Sequence, residues 1–343
     1  MNTTPAFEDE FDYSRLVHRI DPIYPPVHAS AGAVDLHGLR AGVPSDVEAC
    51  AHGIWGQFNI AGVAVAGMRG VLAGFLDQLA KAELTVHTVD EQTLVHFATT
   101  NPAGSRAPTD EEVRLRVNVI NATYLALEDA QVIKPASPLI LPSTTTKTAA
   151  RAHVRCATHD EVLLTRLATR RIKTQRAQHL AAACVAICSN GATCAEAPQV
   201  LWSHHVHNGV RLPGRTSSNN RAGMDIAART ITFDAWSTTA TQAWKTECST
   251  PRPVHDDASM LYTGHQELTS NSAAVSTDQQ VKKALKIAGL AQTPGLTAGS
   301  LRLWSMMKDV TDLTSANAAA RRGGISFLTL HTKAQNLLDL AGA

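Results

Sequence analysis

Apolar residues recur at helical spacing over Val71, Leu72, Phe75, Leu76 and Leu79, which predicts an amphipathic helix there. Asp90 stands just before Leu94, Phe97 and Ala98, the pattern of an N-cap and a short helix. Thr109 followed by Glu112 is a capping box, and it opens a long apolar stripe through Val113, Val117, Ile120, Tyr124 and Leu127. Thr158 with Glu161 repeats that signal ahead of two apolar faces, one carried by Val162, Leu163 and Leu167, the other by Leu180, Ala183, Cys184 and Ile187. Gly191 interrupts, and a short helix is expected up to Leu201. The period then shifts to strand character in Val206, Val210 and Leu212, and again in Thr230, Ile231, Thr232 and Phe233 after a Ser/Asn/Gly-rich stretch. Helical spacing resumes over 277–290, 300–308, 314–322 and 325–340.

Prolines punctuate this pattern. Pro22, Pro25 and Pro26 predict an irregular N-terminal arm over 1–55, and Pro135, Pro138 and Pro142 with a Ser/Thr run predict a linker over 136–157. Between them lies a small helical domain, 56–135, and beyond them a larger one, 158–343. The expected fold class is mainly α with a small β insert. Of the 343 residues, 44% are hydrophobic and 5% aromatic, so the cores rest on Ala, Leu and Val.

Charge is divided unevenly. Residues 1–146 hold 9 Lys/Arg and 17 Asp/Glu, a net of −8, whereas residues 147–343 hold 22 and 13, a net of +9. A basic half suits a phosphate-binding surface, and it equally suits a mixed solvated one. The densest basic run is Arg166, Arg170, Arg171, Lys173 and Arg176, with Arg166 and Arg170 on one helical face. Lys282, Lys283 and Lys286 form a second cluster, and Arg321 with Arg322 a third. Each is either a phosphate-contacting patch or a solvated helix face.

The remaining chemistry is sparse. Cys184, Cys188 and Cys194 lie near His204, His205 and His207, ligand types for zinc whose spacing fits no finger or ribbon; buried small hydrophobes are the other reading. Six cysteines in a chain of this size read as free thiols in a reducing, cytoplasmic setting. Acidic residues Glu8 to Asp12 argue against a secretory leader, and Ile60 to Met68 is too short to span a bilayer. No Walker loop, dinucleotide fingerprint, Gly-x-Ser-x-Gly elbow or His-Glu-x-x-His is present, so no cofactor is expected.

The order of these segments resembles the tyrosine recombinase/phage integrase family. RGVLAGFLDQLAKAELTVHTVDEQTLVHFATT (69–100) and DEEVRLRVNVINATYLALEDAQVI (110–133) are similar to its helical core-binding (SAM-like) domain. In HLAAACVAICSNGATCAEAPQVLWSHHV (179–206), Gly191, Glu196, Leu201, Trp202 and Ser203 stand in register with the family's catalytic domain, while its first catalytic arginine falls on Thr193 and its usual Asp on His204. In AGLAQTPGLTAGSLRLW (288–304), Arg302 matches the second catalytic arginine, its histidine falls on Gly299, and the following position is Leu303. The usual Gly-His pair falls near Gly324, where Ile325 follows, and none of Tyr13, Tyr24, Tyr124 and Tyr262 comes after Arg302.

The resemblance therefore implies an integrase-like fold and double-stranded DNA as partner. The family's chemistry is phosphoryl transfer to a tyrosine hydroxyl, with arginines holding the non-bridging oxygens. Thr193 supplies no cationic fork and Gly299 no side chain, so the expectation is a DNA-binding protein without strand cleavage, in an architectural or regulatory role. Arg302 is then either a phosphate contact left in the old cleft or a helix-surface arginine. Two alternatives stand beside this: an active recombinase with a displaced or trans-supplied nucleophile, and a scaffold that binds another protein or a second copy of itself.

Overall fold

The computed structural model describes residues 35–58, 62–101, 106–133, 154–215, 226–250 and 254–334. Pro22, Pro25 and Pro26, the Pro-rich segment 134–153 and the last residues expected as helix lie outside these.

Among the described residues the chain is mainly α-helical with one small sheet, as its periodicity predicts. Its helices are α1 (Leu36–Ala41), α2 (Pro44–Gly56), α3 (Gly62–Lys81), α4 (Glu91–Thr99), α5 (Asp110–Asp129), α6 (His159–Thr169) and α7 (Gln175–Cys188). Three strands follow, β1 (His205–Val206), β2 (Gly209–Leu212) and β3 (Arg229–Thr232). After the sheet come α8 (Ala235–Cys248), α9 (Asn271–Ile287), α10 (Ala298–Met307), α11 (Leu313–Gly323) and α12 (Phe327–Ala334). The sheet is antiparallel in the order β1-β2-β3, with Val210 opposite Ile231.

The predicted caps stand where the sequence puts them. Asp90 accepts from Thr93 N at 2.7 Å, and Thr109 and Glu112 close their box with Thr109 N donating to Glu112 at 2.7 Å. Glu161 accepts from Thr158 N at 2.9 Å. Two expectations change. Residues 36–56, expected within an irregular arm, form α1 and α2: Pro44 sits in the first turn of α2, where its missing N–H costs nothing, and Val47, Cys50, Ala51, Ile54 and Trp55 are buried. The segment after β3 is helix α8, which the sequence reading did not find. Its threonines return their hydroxyls to backbone carbonyls one turn back, as Thr239 to Ala235 O at 3.0 Å and Thr241 to Ser237 O at 2.9 Å. That habit and β-branching give threonine low helix propensity, so the pattern reads as non-helical until packing decides it.

One continuous core runs from Leu39 in α1 to Trp304 in α10, and α5 packs on α6 across it. Arg114 of α5 pairs with Asp160 of α6 at 3.0 Å, and Trp55 Nε1 donates to Ala122 O at 3.2 Å. A second, smaller core joins Ile226, Leu303 and Met306 to α11 and α12.

Arg166 lies at the centre of the larger core with 0% of its side chain exposed. Its guanidinium donates to Phe58 O at 2.5 Å, to Ser189 Oγ at 3.2 Å and to Asp234 Oδ2 at 2.7 Å. The rings of Trp236 and Trp304 lie 4.5 Å and 5.4 Å from it. Burial pulls its pKa down, and Asp234 opposes that shift. Asp234 also caps α8 by accepting from Ser237 N at 2.8 Å. Asp234→Ala should therefore strand a buried charge, at a cost of about 3–5 kcal/mol, and remove a cap worth about 1 kcal/mol more. Arg166→Met should cost less, because Asp234 is 11% exposed and keeps access to water. Urea denaturation of the two variants tests this order.

Candidate nucleic-acid interface

The first basic run divides between interior and surface. The run is expected as either a phosphate-contacting patch or a solvated helix face, and at Arg166 both expectations fail, since the side chain is enclosed by protein on all sides. Arg170 is turned inward too: it pairs with Asp129, donates to Gln57 at 3.1 Å and covers the Phe58 ring at 4.6 Å. Arg171 is half-buried and pairs with Glu128 at 2.7 Å. Lys173 and Arg176, beyond the end of α6, are exposed, Arg176 lying over the Trp244 ring at 5.3 Å.

The surface part of this run meets the second cluster. Arg171, Ile172, Lys173 and Thr174 face Lys283, Lys286 and Ile287 across a cavity of about 490 Å³. The two groups are separated by more than a hundred residues in sequence. They converge because α9 packs against both α6 and α7. Lys173, Lys283 and Lys286 are exposed and form no ion pair among the described residues, whereas Lys282 is held by Asp278 at 2.7 Å. Lys286 also sits in the last turn of α9, where a cation complements the helix dipole by about 0.3–1 kcal/mol. Thr174, which lines the same cleft, caps α7 by accepting from Ala177 N at 3.4 Å. Three unpaired ammonium groups around one concavity attract anions, and lysines act there as adaptable point charges.

Arg302 is neither a surface arginine nor an open phosphate contact. It is 6% exposed, its Nε donates to Gly191 O at 3.0 Å, and Nη2 donates to Gly323 O. Burial pushes its pKa down to about 10, Glu196 raises it, and Arg229 and Arg215 lower it further, so it stays cationic at neutral pH. Glu196 lies fully buried and binds Arg229 through both oxygens, at 2.6 and 3.1 Å. Arg229 reaches Gly191 O at 2.7 Å as well, so one loop carbonyl is shared by two arginines. Thr193 is absorbed into the same node: its N–H and hydroxyl both donate to Glu196, at 2.9 and 3.0 Å. Gly299, in the first turn of α10, presents no side chain.

Beside this node lies a larger cavity of about 980 Å³, lined in part by Arg215, Thr269, Arg321 and Gly324. Gly324 follows α11 at φ +66°, and a Cβ there would come within 2.9 Å of Arg229. Arg321 is exposed, and Arg215 Nε is buried without a hydrogen-bond partner among the described residues. Arg215 and Arg229 were missed by sequence reading; lone arginines beside strands carry no local signal. Arg322, the neighbour of Arg321, donates to Met306 O at 3.4 Å.

Cys184 and Cys188 are buried in α7, and burial raises both thiol pKa values; for Cys188, contact with Cys194 is the larger cause. Among the described residues no three His, Cys, Asp or Glu side chains are grouped to hold a metal, and no helix is long and apolar enough to cross a membrane.

No protein-family profile matches the chain, and no curated protein does. Among solved structures it is similar to the crystal structure of a lambda integrase dimer bound to a COC′ core site, at 13% identity and a TM-score of 0.32, over 91% of this chain and 77% of that one. A likeness at that level carries no argument.

The Glu196 node makes a prediction about acid stability. Burial alone would raise the pKa of Glu196, but the hydrogen bonds and charge of Arg229 outweigh it and hold the pKa below the ordinary 4.5. Its contribution is thus fully present above pH 4.5 and is lost as pH falls through the lowered native value. Glu196→Gln should cost about 3–5 kcal/mol at neutral pH, and the variant's deficit should shrink below about pH 4. Denaturation midpoints across pH 3 to 7 check both parts.

Proposed function

We propose that this chain binds duplex DNA through the cleft where Lys173 meets Lys283 and Lys286, on an integrase-like architecture that does not cleave the strand. The observation that carries the reading is the convergence of two sequence-distant basic clusters on one concave surface. Unpaired lysines there neutralise backbone phosphates and release condensed counterions, the sequence-independent part of DNA affinity. The role is architectural or regulatory rather than catalytic.

Three features support the loss of cleavage. Nε and Nη2 of Arg302 are engaged by backbone carbonyls and the side chain is buried, so its fork is turned away from a phosphate. Thr193 and Gly299 stand where the resembling family carries an arginine and a histidine, and Thr193 serves Glu196 instead. No tyrosine occurs among residues 303–343. Without a positioned nucleophile and its charge-stabilising fork, covalent phosphoryl transfer has no route.

Fluorescence anisotropy with random-sequence duplex DNA tests the reading. Binding should weaken steeply with salt, and Lys173→Gln, Lys283→Gln and Lys286→Gln together should flatten the slope of log K against log salt by about 2.7, at about 0.9 per lost phosphate contact. These lysines are exposed, so the triple variant should melt like the parent. Absence of binding at low salt would instead favour the protein-binding scaffold, and a covalent protein–DNA adduct on nicked or intact duplex would overturn the loss of cleavage.

A further inference from the structure

Helix α9 connects two cationic cavities. Thr269, just before its first turn, lines the 980 Å³ cavity with Arg215 and Arg321. Lys283 and Lys286, near its other end, line the 490 Å³ cleft with Lys173. The short 3-10 helix Ala197–Gln199 packs on α9 and places Gln199 in the first cavity, which ties that cavity to the helix. From Thr269 to Lys286 the helical rise amounts to about 25 Å.

The side of α9 that faces solvent runs unbroken between the two. Asn271, Val275, Gln279, Lys282 and Lys286 are exposed along one stripe at three- and four-residue steps. Asp278 is the sole acidic residue of the helix, and Lys282 neutralises it. The stripe is therefore free of net negative charge from end to end. At the first cavity positive charge is in excess: Arg215 and Arg229 bear on Arg302 with like charge, Glu196 is the carboxylate that offsets them, and Arg321 adds an exposed cation without an ion pair among the described residues.

We propose that duplex DNA lies lengthwise along α9, with Arg215 and Arg321 holding phosphates at one end and Lys173, Lys283 and Lys286 holding them at the other, about seven base pairs apart at ~3.4 Å per pair. The proposal rests on the DNA-binding reading above and adds a second contact and a fixed spacing to it. A duplex is the fitting ligand because it is stiff over about 150 base pairs, so its phosphates keep their separation, and a rigid helix can match it. Two anchors on one rigid ligand act as a linked pair, so the second contact forms at high effective concentration once the first is made.

Hairpin-closed duplexes of 6, 10, 14 and 20 base pairs, measured by fluorescence anisotropy at low salt, test the spacing. Wild-type affinity should rise at least tenfold between 6 and 10 base pairs and only gently thereafter. In the Arg215→Gln/Arg321→Gln variant, and equally in the Lys173/Lys283/Lys286 glutamine variant, that step should disappear. Arg321→Gln alone, at an exposed position that does not threaten folding, should reduce the step by a factor of several. Affinity that grows only in proportion to duplex length, or an unchanged step in both arginine variants, would overturn the two-anchor arrangement while leaving DNA binding standing. A single-stranded 14-mer bound as tightly as the duplex would overturn the choice of ligand. Failure to bind any of these DNAs would remove the underlying reading along with the spacing.

Discussion

The buried guanidinium of Arg166 is the junction on which the two halves of the chain depend. It draws together the end of α2 through Phe58, the end of α7 through Ser189 and the start of α8 through Asp234, between two tryptophan rings. A neutral side chain could fill the volume but could not satisfy three separate acceptors. A planar fork with five donors can, and its directions are fixed, so the segments it joins are held in one relative arrangement. The cost is desolvation of a charge, offset by Asp234 and by aromatic faces in a low-dielectric setting. Such a centre stabilises modestly and specifies strongly.

Cations in this molecule fall into two populations with different physics. Arg166, Arg170, Arg229 and Arg302 use their charge inward, on carboxylates and loop carbonyls. Lys173, Lys283, Lys286 and Arg321 remain at the surface without ion pairs among the described residues. Arginine predominates in the first group because its fork tolerates burial and divides its donors among several acceptors; lysine predominates in the second because its ammonium is strongly hydrated. Arg229 and Arg302 tie the loop at Gly191 to β3 and α10, while the surface cations are the charges left to attract anions. Net charge hides this division, and a count of basic residues would overstate the surface available to a phosphate backbone.

Much of the architecture was legible along the chain. The capping signals at Asp90, Thr109 and Thr158 are local, set by a side chain and an amide three residues on, so they survive any tertiary context. The strand at 209–212 follows from Val210 and Leu212 at alternate positions, and the one at 229–232 from its β-branched Thr230, Ile231 and Thr232. Helix α8 was not legible, since its threonines compete for backbone carbonyls, and Trp236, Ala240 and Trp244 become helical through burial against α7. Helices α1 and α2 were obscured by the prolines that precede them, although Pro44 starts a helix as readily as it ends one.

The sequence by itself determined the mainly helical class, the order of the strongly periodic elements and the caps at Asp90, Thr109 and Thr158, because each depends on interactions within a turn or two of the backbone. It also determined the charge asymmetry and the absence of a cation at 193 and of a side chain at 299. Which arginines face inward, that Glu196 gathers Arg229 and Thr193 about itself, and that Lys173 shares a cleft with Lys283 and Lys286 were decided by tertiary structure. The reason is physical: a charged side chain reads the same in a helical pattern whether it faces water or a partner a hundred residues away. Only the packing of α9 on α6 and α7 brings the clusters together, and only the enclosure of α6 by the core takes Arg166 out of reach of any ligand.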